Sequence, residues 1–255
     1  MKDLTIIIPI VDISKDTTKQ LFINACKSAD DSKIIVVGPQ KAVDAAKLVD
    51  LGKDENIKFI ANTGDTSYPA QVNLAVDNVK TKYFSVLESD DVYTDIWFKN
   101  VEKQIEFDTD DIFGYLPLTE VIDFNDNNII GYSNEANWAT SFSEQVGFLD
   151  LASAQDYFNY NVSGAIFKTE DFKALGKLKT SMKIVFWVEF LLRALYKNKK
   201  IYVIPKIGCY HYVNRDDSLT STYKKEISEK EADWWIDLAK KEYFFPQDRK
   251  KTYEE

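Results

Sequence analysis

Residues 4–11 read LTIIIPIV, a continuous apolar run rich in β-branched residues and bounded by aspartates. A strand that is buried on both faces of a parallel sheet has this composition. Two similar runs follow, KIIVVG at 33–38 and IKFIA at 57–61, and helix-like stretches occupy 15–28 and 40–50 between them. Because short strands alternate with helices, this order predicts an α/β fold with right-handed crossovers and a mainly parallel sheet.

The carboxyl ends of these strands are expected to border a ligand cleft, since open α/β sheets bind ligands at that edge. Asp12, Gly38 and residues 62–65 (NTGD) follow the first three strands. A further helix is predicted at 68–79 and a fourth buried strand, YFSVL, at 83–87. We therefore expect polar groups from four neighbouring strands to lie along one edge of the sheet.

An acidic turn, Glu88-Ser89-Asp90-Asp91, follows the fourth strand. Three carboxylates in four residues are hard to explain by packing, because burying even one unpaired carboxylate is costly. The turn is therefore expected either at the open surface or around a cation. Mg²⁺ and Mn²⁺ prefer carboxylate oxygens and leave positions open for phosphate oxygens, so the turn predicts a metal site for a diphosphate.

The second half of the chain has a different pattern. IFGYLPLTEVIDF at 112–124 and IIGYS at 129–133 predict a β-hairpin, and residues 134–160 predict a long loop with short helices that shapes a pocket. Later strands are predicted at 163–167, 201–204 and 208–213, and a buried helix at 184–196. The last predicted element is an amphipathic helix at 222–244 whose inner face carries Trp234, Trp235 and Leu238.

Composition excludes several classes of protein. The 255 residues, 45% of them apolar, can fill one large core, and the formal net charge of −9 opposes a broad attraction to nucleic acid. Cys26 and Cys209 are far apart, and the sequence has neither a signal peptide nor the roughly 20 apolar residues that span a bilayer. These features predict a cytoplasmic protein in a reducing compartment, with no membrane span.

Taken together, these segments resemble the inverting family 2 glycosyltransferases of GT-A fold. Residues 5–12 (TIIIPIVD) resemble the first strand of that family, 67–91 (SYPAQVNLAVDNVKTKYFSVLESDD) its helix, strand and metal turn, and 163–179 (SGAIFKTEDFKALGKLK) its acceptor-side strand. Residues 186–195 (FWVEFLLRAL), 199–205 (KKIYVIP) and 210–220 (YHYVNRDDSLT) resemble the helix, strand and C-terminal loop that close over the nucleotide. The resemblance extends over nearly the whole chain.

The resemblance implies a single GT-A-like domain over residues 1–255. Its parts are a nucleotide-sugar-binding half at 1–110, an acceptor-side half at 111–221, and a C-terminal helix and tail at 222–255. The implied enzyme is a metal-dependent glycosyltransferase that moves a sugar from a nucleotide diphosphate, in the first place a UDP-sugar, to an acceptor hydroxyl with inversion. Mn²⁺ or Mg²⁺ is the implied cofactor, and the acceptor stays open among a glycan, a protein and a modified nucleic-acid base.

The resemblance also assigns roles to individual residues. Asp90 is the first candidate for the metal ligand, and Asp91 is both the second candidate and a possible catalytic residue. The implied nucleotide-sugar contacts are Pro9, Asp12, Asn73, Glu88, Arg215 and Ser218. His211 is the only histidine of the chain, and either it supplies a further metal or phosphate contact from a late strand or it is a structural histidine.

Two departures from the family pattern affect these assignments. The second strand ends in Gly38-Pro39-Gln40, where the family has adjacent acids that read the uracil. Phe186 and Trp187 stand where inverting members carry a Glu-Asp pair, whose Asp takes the proton of the acceptor hydroxyl. The two aromatic residues either pack in the core or offer an aromatic face to a sugar.

Glu189 is the carboxylate closest to the missing Glu-Asp pair. In an apolar helix its pKa can rise toward a value useful for a general base, which makes Glu189 a candidate catalytic residue. The alternative is a buried or half-buried ion pair with Arg193, which lies four residues further along the same helix.

Three functions remain open at this point. The first is sugar transfer, and the second is a catalytically degenerate GT-A protein that acts as a binding or structural module. The third is a sugar nucleotidyltransferase, which ordinarily needs a glycine-rich basic loop after the first strand, whereas residues 12–15 supply one lysine. Residues 134–150 (NEANWATSFSEQVGFLD) and 233–249 (DWWIDLAKKEYFFPQDR) also resemble glycosyltransferase-like proteins of tailed bacteriophages, which implies the host cytoplasm.

Overall fold

A computed structural model describes residues 1, 3–51, 55–157, 160–216 and 218–241. Its strands are β1 (Leu4–Pro9), β2 (Lys33–Pro39), β3 (Ile57–Asn62), β4 (Tyr83–Val86), β5 (Val92–Tyr93), β6 (Ile112–Asp123), β7 (Ile129–Ser133), β8 (Ile166–Lys168) and β9 (Lys200–Val213). Its α-helices are α1 (Asp16–Ser28), α2 (Gln40–Lys47), α3 (Tyr68–Asn78), α4 (Trp97–Phe107), α5 (Leu151–Asp156), α6 (Thr169–Ala174), α7 (Phe186–Tyr196), α8 (Leu219–Glu226) and α9 (Glu229–Lys241).

The strands form one mixed sheet in the order β3-β2-β1-β4-β8-β6-β9-β5, with β7 paired to β6. β1 is parallel to both β2 and β4, and β2 is parallel to β3, as the crossover pattern predicts. The predicted α/β fold, with a mixed, mainly parallel sheet flanked by helices, is confirmed. The carboxyl ends of β1, β2, β3 and β4 therefore share one edge of the sheet.

Alternation along the parallel strands divides the core between the two faces of the sheet. Ile6 and Ile8 pack on one face, in the cluster that contains Phe22 of α1 and Trp97 of α4. Ile7 packs on the other face, in the cluster that contains residues of α3, α6 and α7. Because successive side chains of a strand point to opposite faces, the uninterrupted apolar run of β1 serves both layers.

The C-terminal helix predicted at 222–244 is two helices, α8 and α9, and residues 242–244 lie outside the described residues. Ser228 causes the new start, since its hydroxyl accepts a hydrogen bond from the backbone N–H of Glu231 at 3.3 Å, as in an N-terminal capping motif. Trp235 is buried against Met182 and Ala239, as predicted. The prediction for Trp234 is wrong, because this side chain is 56% exposed.

The remaining differences concern the later strands. The two strands predicted at 201–204 and 208–213 are a single strand, β9, which pairs in parallel with β6 through shifts of register near Pro117. The strand predicted at 163–167 is shorter and is displaced to Ile166–Lys168. The buried helix and the hairpin are confirmed as α7 and as β6 with β7. No helix within the described ranges is long and apolar enough to cross a membrane.

Candidate active site

The acidic turn lies at the carboxyl end of β4, next to the end of β9. The backbone N–H of Asp91 donates to the carbonyl of Glu88 at 3.0 Å, which closes the turn. The chain then enters β5, where Val92 pairs with Tyr210 of β9 in an antiparallel register. This pairing brings residues 211–215 to the carboxylates, so the site combines two segments that are distant in sequence.

Asp91 is completely buried and holds His211. Both carboxylate oxygens of Asp91 lie 3.0 Å from Nδ1 of His211, and the backbone N–H of Tyr212 donates to Asp91 at 3.2 Å. Burial lowers the pKa of His211, but the adjacent Asp91 outweighs burial and the pKa rises to about 9. At neutral pH His211 is therefore an imidazolium.

This pairing corrects one prediction. The oxygens of Asp91 are already engaged, so Asp91 is placed to position His211 and not to accept the proton of an acceptor. The contact with Asp91 engages only Nδ1 of His211, and metal-ligating histidines commonly make such a contact with their other ring nitrogen, so metal ligation by His211 stays a prediction beside the structural alternative. His211 also lines a cavity beside the acidic turn, where its positive charge is available to an anionic ligand.

The free energy of unfolding should fall as the pH rises from about 6.5 to about 9, because the pKa of His211 is higher in the folded protein. The contribution is fully present below the unfolded pKa and disappears as the folded imidazolium loses its proton. Urea unfolding across this range, without divalent metal, measures the effect. His211→Gln should flatten the profile relative to wild type, and equal slopes in both proteins would contradict the assigned pairing.

Asp90 faces the cavity and is paired with Arg215. A guanidinium nitrogen of Arg215 donates to Oδ2 of Asp90 at 2.9 Å, and Arg215 is only 8% exposed. Burial and the neighbouring Asp91 raise the pKa of Asp90, while Arg215 opposes that rise. The hydroxyl of Ser221 donates to the carbonyl of Arg215 at 2.6 Å, and the hydroxyl of Ser218 accepts from the backbone N–H of Ser221 at 3.0 Å. The structure thus brings the predicted residues Asp90, Arg215 and Ser218 together.

Glu88 forms a second branch of the site. Its carboxylate accepts a hydrogen bond from the hydroxyl of Tyr68, and its backbone N–H donates to Ser163 at 3.1 Å. Burial, with a smaller contribution from Asp90, raises the pKa of Glu88 to about 8 although the Tyr68 hydrogen bond lowers it. Tyr68 and Ser163 were not predicted as site residues, because nothing in the sequence near either one indicates a partner in the acidic turn.

A cavity of about 960 Å³ opens beside these groups. Glu88, Asp90 and His211 line it, and so do Phe186 and Trp187 of α7. Both ring systems are half-buried, and Trp187 also packs on Phe167 and Phe190 of the core. The rings therefore belong to the core and also line the cavity, and contact of either ring with a sugar stays a prediction.

The carboxylates fit a metal only in the presence of a ligand that supplies further oxygens. Among the residues that the structure describes, no three or more His, Cys, Asp or Glu side chains are grouped to hold a metal ion. Asp91 is engaged with His211, which leaves Asp90 as the acidic-turn aspartate that faces the cavity. Mg²⁺ often binds through one or two carboxylates together with substrate phosphates, and Asp90 fits that arrangement.

Three predicted donor contacts lie elsewhere. The side-chain amide of Asn73 donates to the carbonyl of Leu178 at 2.8 Å and accepts from its N–H at 3.0 Å, so Asn73 fastens α3 to a loop and does not face the cavity. Pro9 is buried at the end of β1. Asp12 is exposed, and its carboxylate accepts a hydrogen bond from the backbone N–H of Ser14 at 2.9 Å. Pro9 and Asp12 border the carboxyl edge of the sheet without being among the described residues that line the cavity.

Glu189 is buried in an ion pair, which is the second of the two alternatives for this residue. Its two carboxylate oxygens accept from Arg193 at 2.9 Å each, and Lys179 lies 2.9 Å away. Glu189 is 0% exposed and is not among the described residues that line the cavity. The prediction of Glu189 as a general base is therefore replaced by a structural role, because both oxygens are engaged by cations away from the cavity.

Close packing explains the departure at the end of the second strand. A Cβ atom on Gly38 would lie 2.4 Å from the carbonyl oxygen of Ile10, so a side chain at this position would displace the backbone that follows β1. A side chain at Gly38 is therefore disfavoured in this protein, and Pro39 and Gln40 add no acidic group to the end of β2.

The fold is the GT-A fold. Solved structures of S. aureus TarS share it: TarS 1–349 has a TM-score of 0.59 and 14% identity, covering 83% of this chain and 60% of that chain. The TarS 1–349 complex with UDP-GlcNAc has a TM-score of 0.60 and 14% identity, and the match covers 87% of this chain and 61% of that chain. This chain spans only 37% of a longer TarS chain. No protein-family model and no curated protein matches the sequence.

Proposed function

We propose that this protein is a glycosyltransferase that uses a UDP-sugar as donor. The observation that carries the proposal is the acidic turn at the carboxyl end of β4, with Asp90, Arg215 and His211 beside a cavity of about 960 Å³. Ligands of open α/β sheets bind at this edge. The similarity to TarS, of which complexes with UDP and UDP-GlcNAc are known, supports the choice of donor.

In this proposal the chain supplies charges of both signs around a diphosphate. Arg215 and the imidazolium of His211 would attract the phosphate oxygens, and Asp90 would hold a divalent cation, Mn²⁺ or Mg²⁺. When bound, such a cation stabilises the negative charge of the departing diphosphate. Glu88, fixed by Tyr68, is placed to contact the sugar or ribose. In-line attack by an acceptor hydroxyl would form the new glycosidic bond as the bond to the UDP leaving group breaks, with the hydroxyl proton passing to solvent water, and would invert the anomeric centre.

Calorimetric titration of the protein with UDP and UDP-GlcNAc tests the proposal. With Mn²⁺ or Mg²⁺ present we expect dissociation constants between about 1 µM and 1 mM, the usual range for enzyme substrates, and weaker binding in EDTA. GDP-mannose and ADP-glucose are the matched controls for the base. The proposal is contradicted if neither UDP nor UDP-GlcNAc binds with either metal.

A catalytically inactive binding module is the second candidate. The observation that favours it is the pair Phe186 and Trp187 at the position of the usual base, together with the engagement of Glu189 in an ion pair. The two candidates differ in turnover, because a binding module retains UDP-GlcNAc without releasing UDP. Release of UDP by wild-type protein, whether to water or to an acceptor, would rule out the module.

A further inference from the structure

One wall of the cavity is aromatic and firmly supported. The ring of Phe186 stacks on Tyr68 with centroids 4.9 Å apart and planes inclined by 22°. Trp187 lies nearly parallel to Phe167, at 5.9 Å and 11°, and its indole N–H donates to the hydroxyl of Tyr68 at 3.4 Å. Since core residues hold these rings, their cavity-facing parts form a rigid apolar surface. Such a surface suits the apolar face of a sugar ring.

The C-terminal helix supports the same wall. Glu229 and Ala232 of α9 also line the cavity. The helix is held there by the cluster of Met182, Trp235 and Ala239, on which Val185 and Phe186 also pack. An ion pair between Lys183 and Glu231 at 2.8 Å joins α9 to the segment before α7. The aromatic surface and the helix therefore form one continuous side of the cavity.

The charges around the cavity disfavour an anionic occupant of this side. Glu229 of α9 is an acidic residue that lines the cavity, whereas no lysine or arginine is among the described residues that line it. His211 contacts the acidic turn and not α9, because both oxygens of Asp91 lie 3.0 Å from its ring. Arg215 engages Asp90 at 2.9 Å. A phosphate-bearing acceptor beside α9 would thus meet like charge, which costs binding free energy.

We propose that the side of the cavity formed by Phe186, Trp187 and α9 is the acceptor site, and that it takes a neutral saccharide in preference to a phosphate-bearing polymer. The proposal rests on the proposed function, because it names the second substrate of the same site. A neutral sugar stacks on the two rings with one hydroxyl group turned toward the donor, and Glu229 repels anionic chains.

Calorimetric titration with UDP present tests the preference. The probes are three neutral trisaccharides (maltotriose, cellotriose and chitotriose) and an oligomer of three glycerol phosphates. At least one trisaccharide should bind about tenfold more tightly than the anionic oligomer, and Trp187→Ala should weaken it about tenfold, as expected for an aromatic anchor. Trp234→Ala is the matched control, since Trp234 is 56% exposed and lies on the same helix as Glu229.

A second variant keeps the test independent of core packing. Glu229 is exposed at the start of α9, and Glu229→Lys should tighten binding of the glycerol phosphate oligomer about threefold or more, whereas Glu226→Lys outside the cavity should not. Tighter binding of the oligomer than of every trisaccharide, or binding of no trisaccharide, overturns the proposal. The affinity for UDP, measured in the same titrations, tests the proposed function separately. If the protein binds UDP but prefers the glycerol phosphate oligomer to the trisaccharides, only the acceptor proposal is contradicted.

Discussion

Asp90→Asn should lower the rate of UDP release from UDP-GlcNAc at least about a hundredfold, because loss of a group that stabilises transition-state charge has effects of this size. The substitution removes the charge of the acidic-turn aspartate that faces the cavity and weakens the contact with Arg215, which is 2.9 Å away. Release of UDP into water is the readout, since it needs no known acceptor. The rate is measured at saturating Mn²⁺ and UDP-GlcNAc, so that a loss of turnover is distinguished from a loss of binding.

Asp95→Asn is the matched control for this substitution. Asp95 lies five positions further along the chain and is exposed, so the same change of charge is made at a side chain outside the cavity. We expect its rate to equal that of wild type. If Asp90→Asn retained the wild-type rate while remaining folded, the assignment of the cation to the acidic turn would be wrong.

Arg193→Met should lower the free energy of unfolding by about 3–5 kcal/mol, the usual effect of removing one partner of a buried ion pair. Arg193 is 0% exposed, and it also donates to the carbonyls of Leu175 and Lys177. Methionine fills most of the volume but leaves Glu189 with Lys179 as its remaining cation. Urea denaturation followed by circular dichroism measures the loss.

Two further variants complete this experiment. Glu170→Gln breaks the ion pair with Lys173 on the surface, where the carboxylate is 86% exposed, and should change stability by less than about 1 kcal/mol. Glu189→Gln should destabilise the protein while the folded fraction keeps its turnover. Loss of turnover by Glu189→Gln without loss of stability would restore Glu189 as a candidate base.

Local pattern was sufficient to predict most of the fold. The run at 4–11 predicts β1 because a strand buried on both faces needs continuous apolar residues, and the alternation with helices predicts the parallel order. The prediction failed in the C-terminal helix, where the local signals in the sequence are weaker. The hydroxyl of Ser228 starts a new helix within one amphipathic pattern, and that pattern does not distinguish the neighbours Trp234 and Trp235.

The site was only partly predictable, because its partners are far apart in sequence. The acidic turn was predicted to be either exposed or bound to a cation, whereas the structure buries Asp91 against His211 and pairs Asp90 with Arg215. Both partners come from the end of β9, and no local pattern reports which residues meet across the sheet. Asn73 and Glu189 were predicted as site residues from their positions in the sequence. In the structure they instead bond to Leu178 and Arg193, outside the site.

The distance in sequence between Asp91 and His211, 120 positions, also affects the order of folding. The acidic turn belongs to the early parallel strands, but its cationic partners arrive only when β9 has paired with β5 and β6. Contacts of such long range require the closure of a large loop and form slowly. During synthesis from the N-terminus, the proposed donor site is therefore among the last features to assemble. Acquisition of donor binding would serve as a kinetic marker of completed folding.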